Sequence, residues 1–157
     1  MLNIIRIFFL IVSLLFSSSL YGHIPSEGES NDKDNEIKKQ VEKIENYIHN
    51  KNFKSSLRLL KKIVKREDLD GFRADIYNLL GFTYRNLSKP DLEKSYVSYM
   101  MALEIDPDHI GALEYLGELY LMRNEKDKAI DMLERLEKIA GVDAEEYLEL
   151  LEAINNY

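Results

Sequence analysis

The chain is 157 residues long, 45% apolar and 31% charged, which suits one soluble globular domain rather than two. Its formal charge of −7 argues against nucleic acid or an anionic membrane as partner, because an acidic surface repels phosphate. It has no Cys and no Trp, with seven Gly and three Pro, so disulfides and thiolate chemistry are excluded and the scarcity of turn residues favours long helices over a β-sandwich.

Residues 1–22 read as a secretory signal peptide. Arg6 precedes an apolar run from Ile7 to Phe16, and Ser17, Ser18, Ser19 and Gly22 supply small residues for cleavage after Ser19 or after Gly22. The alternative is an uncleaved inner-membrane anchor formed by residues 2–16. Asn3 and Arg6 interrupt that stretch, and it falls short of the ~20 residues of a full span. Export places the chain in the periplasm. Residues 23–33 are polar, with Gly, Ser, Asn and Asp prominent, and are expected to form a flexible leader, since they bury too little apolar surface to order themselves.

Residues 34–157 are expected to form one helical domain governed by an internal repeat. Leu80-Gly81 aligns with Leu116-Gly117, and Tyr84 with Tyr120, at a spacing of 36. Ser95, Tyr99 and Ala102 align with Ala129, Leu133 and Leu136 at a spacing of 34, so one copy carries a longer turn at Ser88-Lys89-Pro90-Asp91. Each copy reads as two helices with apolar residues at three- and four-residue spacing.

A weaker first copy occupies about 36–70, with Ile37, Val41, Ile44 and Ile48 in one stripe and Ser56, Leu57, Leu60 and Ile63 in the next. Ile44 stands where the later copies have Gly. The second copy, about 74–107, places Ile76, Tyr77, Leu80 and Tyr84 in its first stripe and Leu92, Tyr96, Tyr99 and Leu103 in its second. The third, about 110–141, uses Leu113, Leu116 and Tyr120, then Ala129, Ile130, Leu133 and Leu136. Asp108 is a candidate N-cap for the third copy. Gly141 ends its last helix, and Asp143 is a candidate cap for a final helix over 144–156. Tyr147, Leu150, Leu151 and Ile154 would cover the open apolar edge of the third copy.

These residues resemble the tetratricopeptide repeat, whose pattern runs large residue, Leu-Gly, Tyr, small residue, aromatic or Leu, Ala and Pro over about 34 positions. The second copy carries Tyr77, Leu80, Gly81, Tyr84, Ser95, Tyr99, Ala102 and Pro107. The third carries Leu113, Leu116, Gly117, Tyr120, Ala129, Leu133 and Leu136. Leu136 departs from the usual small residue, which implies looser packing there. The third copy and tail are also similar to small exported tetratricopeptide proteins of α-proteobacteria. Some of those carry a Cys on each side of the last turn, where this chain has Ala140 and Ala144.

The resemblance implies an all-α, right-handed solenoid of about three helix pairs plus a capping helix. Its concave face, lined by first helices, would hold a segment of another polypeptide. By residue-for-residue matching, the lining is Asp75, Asn78, Phe82, Arg85 and Asn86 in the second copy and Gly111, Glu114, Glu118, Leu121 and Met122 in the third. Phe82 and Leu121 are apolar residues spare to the core stripes, so they are expected to be contact sites that can be truncated without loss of stability. Asp75, Glu114 and Glu118 outweigh Arg85, which points to a basic or apolar partner segment in the bacterial envelope. A permanently assembled structural subunit of an envelope biogenesis complex is the alternative.

Chemistry has little support. The histidines His23, His49 and His109 make no ligand motif, so no metal is expected, and no cofactor or small-molecule substrate is implied. The pairs Glu114/Glu118, Glu134/Glu137 and Glu145/Glu149 are expected to be solvated faces rather than catalytic carboxylates. No catalytic residue is assigned, and the chain is not expected to be an enzyme. Gly81 and Gly117 lie mid-helix at a cost of roughly 1 kcal/mol against Ala, which close helix packing would offset. The repeat tyrosines, Tyr77, Tyr84, Tyr99, Tyr120 and Tyr147, are expected to be core residues whose hydroxyls reach the surface or a partner.

Overall fold

The computed structural model describes residues 29–69 and 71–157. The expected signal peptide and residues 23–28 lie outside the described residues. Seven helices follow one another: α1 (Glu29–His49), α2 (Phe53–Ile63), α3 (Arg73–Arg85), α4 (Leu92–Ile105), α5 (Ile110–Met122), α6 (Lys126–Ala140) and α7 (Glu145–Asn155). Among the described residues there is no strand, and no helix is long and apolar enough to cross a membrane. The fold is all-α, three helix pairs and a closing helix, as the repeat pattern predicts.

Helix α1 starts inside the stretch 23–33 expected to be a flexible leader, so residues 29–33 are helical instead. Acidic residues near this end suit the positive pole of the helix dipole. Further along, Ile37 is fully buried and Glu36 pairs with Arg66 at 3.1 Å, tying this helix to the body of the fold.

The connections are fixed by caps. Asn52 accepts from the Ser55 amide and starts α2, and Asp91 accepts from the Lys94 amide at 3.0 Å and starts α4. Asp108 does not cap α5. That helix starts at Ile110, and His109 Nδ1 accepts from the Ala112 amide at 3.2 Å. Asp143 is likewise displaced, since Ala144 precedes α7 without a side-chain cap. Gly141 ends α6 at φ 87° and ψ 168°, a conformation essentially reserved for Gly.

Each helix packs on its neighbours in sequence, and the first helices α3, α5 and α7 also touch one another in series. Two apolar clusters result. Ile37, Ile44, Leu60, Ile63, Leu69, Ile76, Leu80 and Tyr84 bind α1, α2 and α3 together. Tyr99, Leu103, Leu113, Leu116, Leu119, Leu136, Leu150 and Ile154 do the same for α4 to α7, and Tyr77 packs against both clusters. Leu136 is fully buried, not loosely held, while Ile130 falls on the exposed side of α6.

The small repeat residues Ser56, Ser95 and Ala129 are all fully buried, where second helices press on first ones. The two serine hydroxyls are satisfied across helices: Ser56 Oγ meets Thr83 Oγ1 at 2.9 Å, and Ser95 Oγ donates to the Gly81 carbonyl at 2.8 Å. The two repeat glycines do what the sequence suggests. A Cβ on Gly81 would stand 2.5 Å from Tyr99 Cε1 in α4, and one on Gly117 would stand 2.5 Å from Leu150 Cδ2 in α7. Tyr99 departs from expectation in one respect: its hydroxyl is buried rather than at the surface.

Candidate functional site

Asp75, Asn78, Phe82 and Arg85 recur at three- and four-residue spacing, so they form one stripe on α3. Each of them meets α5 or the residue that caps it. His109 Nδ1 is occupied as an acceptor, which leaves Nε2 to donate to Asp75 Oδ1 at 3.1 Å. Asn78 lies against Gly111, where a Cβ would stand 3.2 Å from its Nδ2. The Phe82 and Tyr115 rings are 5.0 Å apart, and Phe53 of α2 flanks Phe82 at 6.4 Å. Arg85 Nη1 pairs with Glu118 Oε2 at 2.6 Å and also donates to the Tyr115 carbonyl at 3.3 Å. Its guanidinium covers both aromatic rings, 5.5 Å from Phe82 and 5.3 Å from Tyr115. Asn86 turns back to donate to the Phe82 carbonyl at 2.9 Å and ends the helix.

The residues read from the sequence as a free groove lining are therefore brought together, but as a seam between first helices. Asn78 and Glu114 are buried, and so is Leu121 at 8% exposure. The expectation that Phe82 and Leu121 are spare to the core is overturned: Leu121 belongs to the α4–α7 cluster, and Phe82 packs against it. A stripe drawn on one helix pair shows one buried flank, whereas a first helix in a stack has a second flank against the next first helix. Asp75 remains open, with 58% of its side chain exposed, Glu118 is partly open, and Met122 is exposed.

The seam continues from α5 to α7, and here it is acidic. Glu114, expected on a solvated face, is only 3% exposed. Burial first, then a hydrogen bond with Glu149 and repulsion from Glu118, Glu149 and Glu146, push its carboxyl up to about 10. It is accordingly neutral at pH 7 and donates to Glu149, whose own carboxyl is raised mainly by burial. At the other end of the face, burial together with repulsion from Asp75 and Glu42 raises the Glu45 carboxyl of α1. Glu45 and Tyr115 were not singled out from the sequence, and Glu149, read with Glu145 as a solvated face, is only partly exposed. One signal was available: Glu114 interrupts a helix that is otherwise apolar on nearly every side, IGALEYLGELYLM. Among the described residues, no group of three or more His, Cys, Asp or Glu is arranged to hold a metal ion.

Residues 92–154, which span α4 to α7, match the tetratricopeptide repeat family. The chain is also 31% identical over 97 residues to a Xenopus laevis protein described as tetratricopeptide repeat protein 37. That alignment covers 62% of this chain and 6% of the frog protein, so the chain spans a small part of that relative's length.

Proposed function

We propose that this chain is a protein-interaction module of the bacterial envelope, and that the face built from α3, α5 and α7 docks a segment of a partner polypeptide of basic or apolar character. Tetratricopeptide repeats in general mediate protein–protein contacts and act as scaffolds rather than enzymes, and the matched residues 92–154 include two of these three helices. The observation that carries the reading is the charge of this face. Glu45, Asp75, Glu118, Glu146 and Glu149 line it from α1 to α7, while Arg85 is already held by Glu118. With Glu118 paired to Arg85, the face still keeps an excess of acidic groups, which steers cationic partners toward it and repels acidic ones.

A photo-crosslinking side chain at the exposed Asp75 position, compared with one at Ile130 on the far side of α6, tests this in native cells. Adducts formed from position 75 and absent from position 130 support the reading. Their absence from position 75 overturns it.

A second reading rests on a separate observation. Ile139, Val142 and Leu148 are large apolar side chains exposed around the α6–α7 turn. A cluster of this kind suits a permanently assembled structural subunit in envelope biogenesis. Gel filtration of the isolated protein separates the two: a stable soluble monomer favours transient docking, and self-association or aggregation relieved by Leu148→Lys favours the subunit.

A further inference from the structure

Seven of the chain's 21 cations and none of its 28 acids fall within residues 51–66. Helix α2 carries most of them. Its buried side chains, Ser56, Leu60 and Ile63, form one side of the helix, and Ser56 meets Thr83 of α3. Lys54, Arg58, Lys61 and Lys62 share the other side, within an arc of about 100°. Lys51 and Lys65 stand just beyond the two ends of the helix, and all six side chains are exposed. The result is a row of positive charge, about 16 Å long, that points away from α3.

These charges are not spent inside the molecule. Arg66 is taken up by Glu36 and Asp68, and Lys61 lies 5.7 Å over the Tyr84 ring, with Asp91 within electrostatic reach. No ion pair among the described residues includes Lys51, Lys54, Arg58, Lys62 or Lys65. The row also weakens the helix that carries it. Lys54 and Arg58, and again Arg58 and Lys62, are like charges four residues apart, and Lys54 sits in a first turn with no acid to suit the dipole. Nor does the repeat require it, since α4 carries Glu93, Lys94 and Glu104, and α6 mixes both signs.

We propose that the cationic row of α2 lays the protein against a bilayer surface rich in anionic phospholipid. A cluster of about four to eight Lys or Arg on one helix face suits such a surface. Of the six exposed cations only Arg58 is not Lys, and Lys is depleted at protein–protein interfaces. The row holds no aromatic side chain to anchor a protein or to stack on a nucleotide. A plane of headgroup charge needs neither. The formal charge of −7 argues against an anionic membrane only for the molecule taken as a point. At physiological salt the screening length is about 8 Å, less than the width of one helix, so the acids behind α2 on α3, α5 and α7 are screened from a surface that α2 touches. This goes beyond the docking function proposed above, and neither depends on the other.

The test is flotation of the native protein, with the N-terminus it carries in the cell, on two kinds of vesicle. One holds equal parts phosphatidylglycerol and phosphatidylcholine, the other phosphatidylcholine alone. Binding to the anionic vesicles, far less to the neutral ones, and release at about 1 M salt, where the screening length is about 3 Å, are expected. The neutral vesicles account for any apolar N-terminal segment, which does not discriminate by headgroup charge. Each cation near the surface is worth roughly fivefold in partition, so Lys54→Gln/Arg58→Gln/Lys62→Gln is expected to weaken anionic binding by about a hundredfold. Lys126→Gln/Lys128→Gln/Lys138→Gln on α6 makes the same change in net charge and is expected to leave binding close to wild type. The salt and headgroup comparisons need no variant, so they decide the matter if the α2 variant does not fold. Equal loss in the two triple variants overturns the proposal, as does equal binding to both vesicles or binding to neither. Capture of polyglutamate or of single-stranded DNA through the row, without vesicle binding, overturns it in favour of an acidic polypeptide or a nucleic acid.

Discussion

At the residue scale, the glycines, Phe82 and Glu114 give measurable expectations. Leu150 is fully buried, so its methyl groups have nowhere to go if Gly117 gains a side chain. Gly117→Leu is expected to cost about 1–3 kcal/mol by overpacking, although Leu is the better helix former. Pairing Gly117→Ala with Leu150→Ala should cost less than the two single changes together, because each relieves the other; strict additivity in chemical denaturation would separate the two residues. Phe82→Ala is expected to lose about 2–4 kcal/mol, since it removes the ring between Phe53 and Tyr115 and uncovers Arg85. An unchanged melting temperature would return Phe82 to the list of spare surface residues.

Glu114 adds a pH dependence with a definite sign. Its carboxyl is raised from 4.5 to about 10, so between those values the folded state keeps a proton that the unfolded chain gives up. Stability therefore falls as pH rises through that window. Glu114→Gln is expected to melt near the wild type at pH 5 and above it at pH 9.

At the element scale, the closing helix matters most. Gly117 of α5 is shaped for α7, while Gly81 of α3 is shaped for α4, so equivalent glycines serve different neighbours. Helix α7 thus stands in for the first helix of a further repeat. Removing residues 141–157 would expose Gly117 and the buried Glu114 together. The truncated chain is expected to melt well below the full chain and to aggregate, as repeat stacks do without a terminal cap. Equal melting temperatures would show that α7 only rests on the stack. The α6–α7 connection depends on Gly141, where a Cβ meets no atom within 4 Å but the backbone sits at φ 87°. Gly141→Ala is expected to cost about 1–3 kcal/mol through backbone strain alone, whereas Gly71→Ala, equally uncrowded and at no such φ, should be close to neutral.

At the scale of the whole molecule, the chain places an acidic face along its first helices and leaves an apolar cluster at the α6–α7 turn. Export is the remaining expectation at this scale. Mass spectrometry of the native protein should find an N-terminus between Leu20 and His23. Intact Met1 in the membrane fraction would favour an anchor formed by residues 2–16.

The sequence by itself determined the helix pairs. Local periodicity, Leu-Gly-Tyr spacing and turn residues are near-neighbour properties, and they marked the apolar stripes that α2 to α7 carry. They also marked Gly81 and Gly117 as sites of close approach, because a Gly inside a helix needs a packing reason. Only the tertiary structure decided which residues of the first helices stay open. Asn78, Phe82, Glu114 and Leu121 were read as groove lining together with Asp75 and Glu118, yet the first four close onto α5 or α7 or into the core, and the last two reach solvent. That division depends on which helix each side chain meets, a contact that no single-helix reading contains. The protonation of Glu114 was beyond a single-helix reading for the same reason: its causes are burial first and then Glu149, on another helix 35 residues away in the chain.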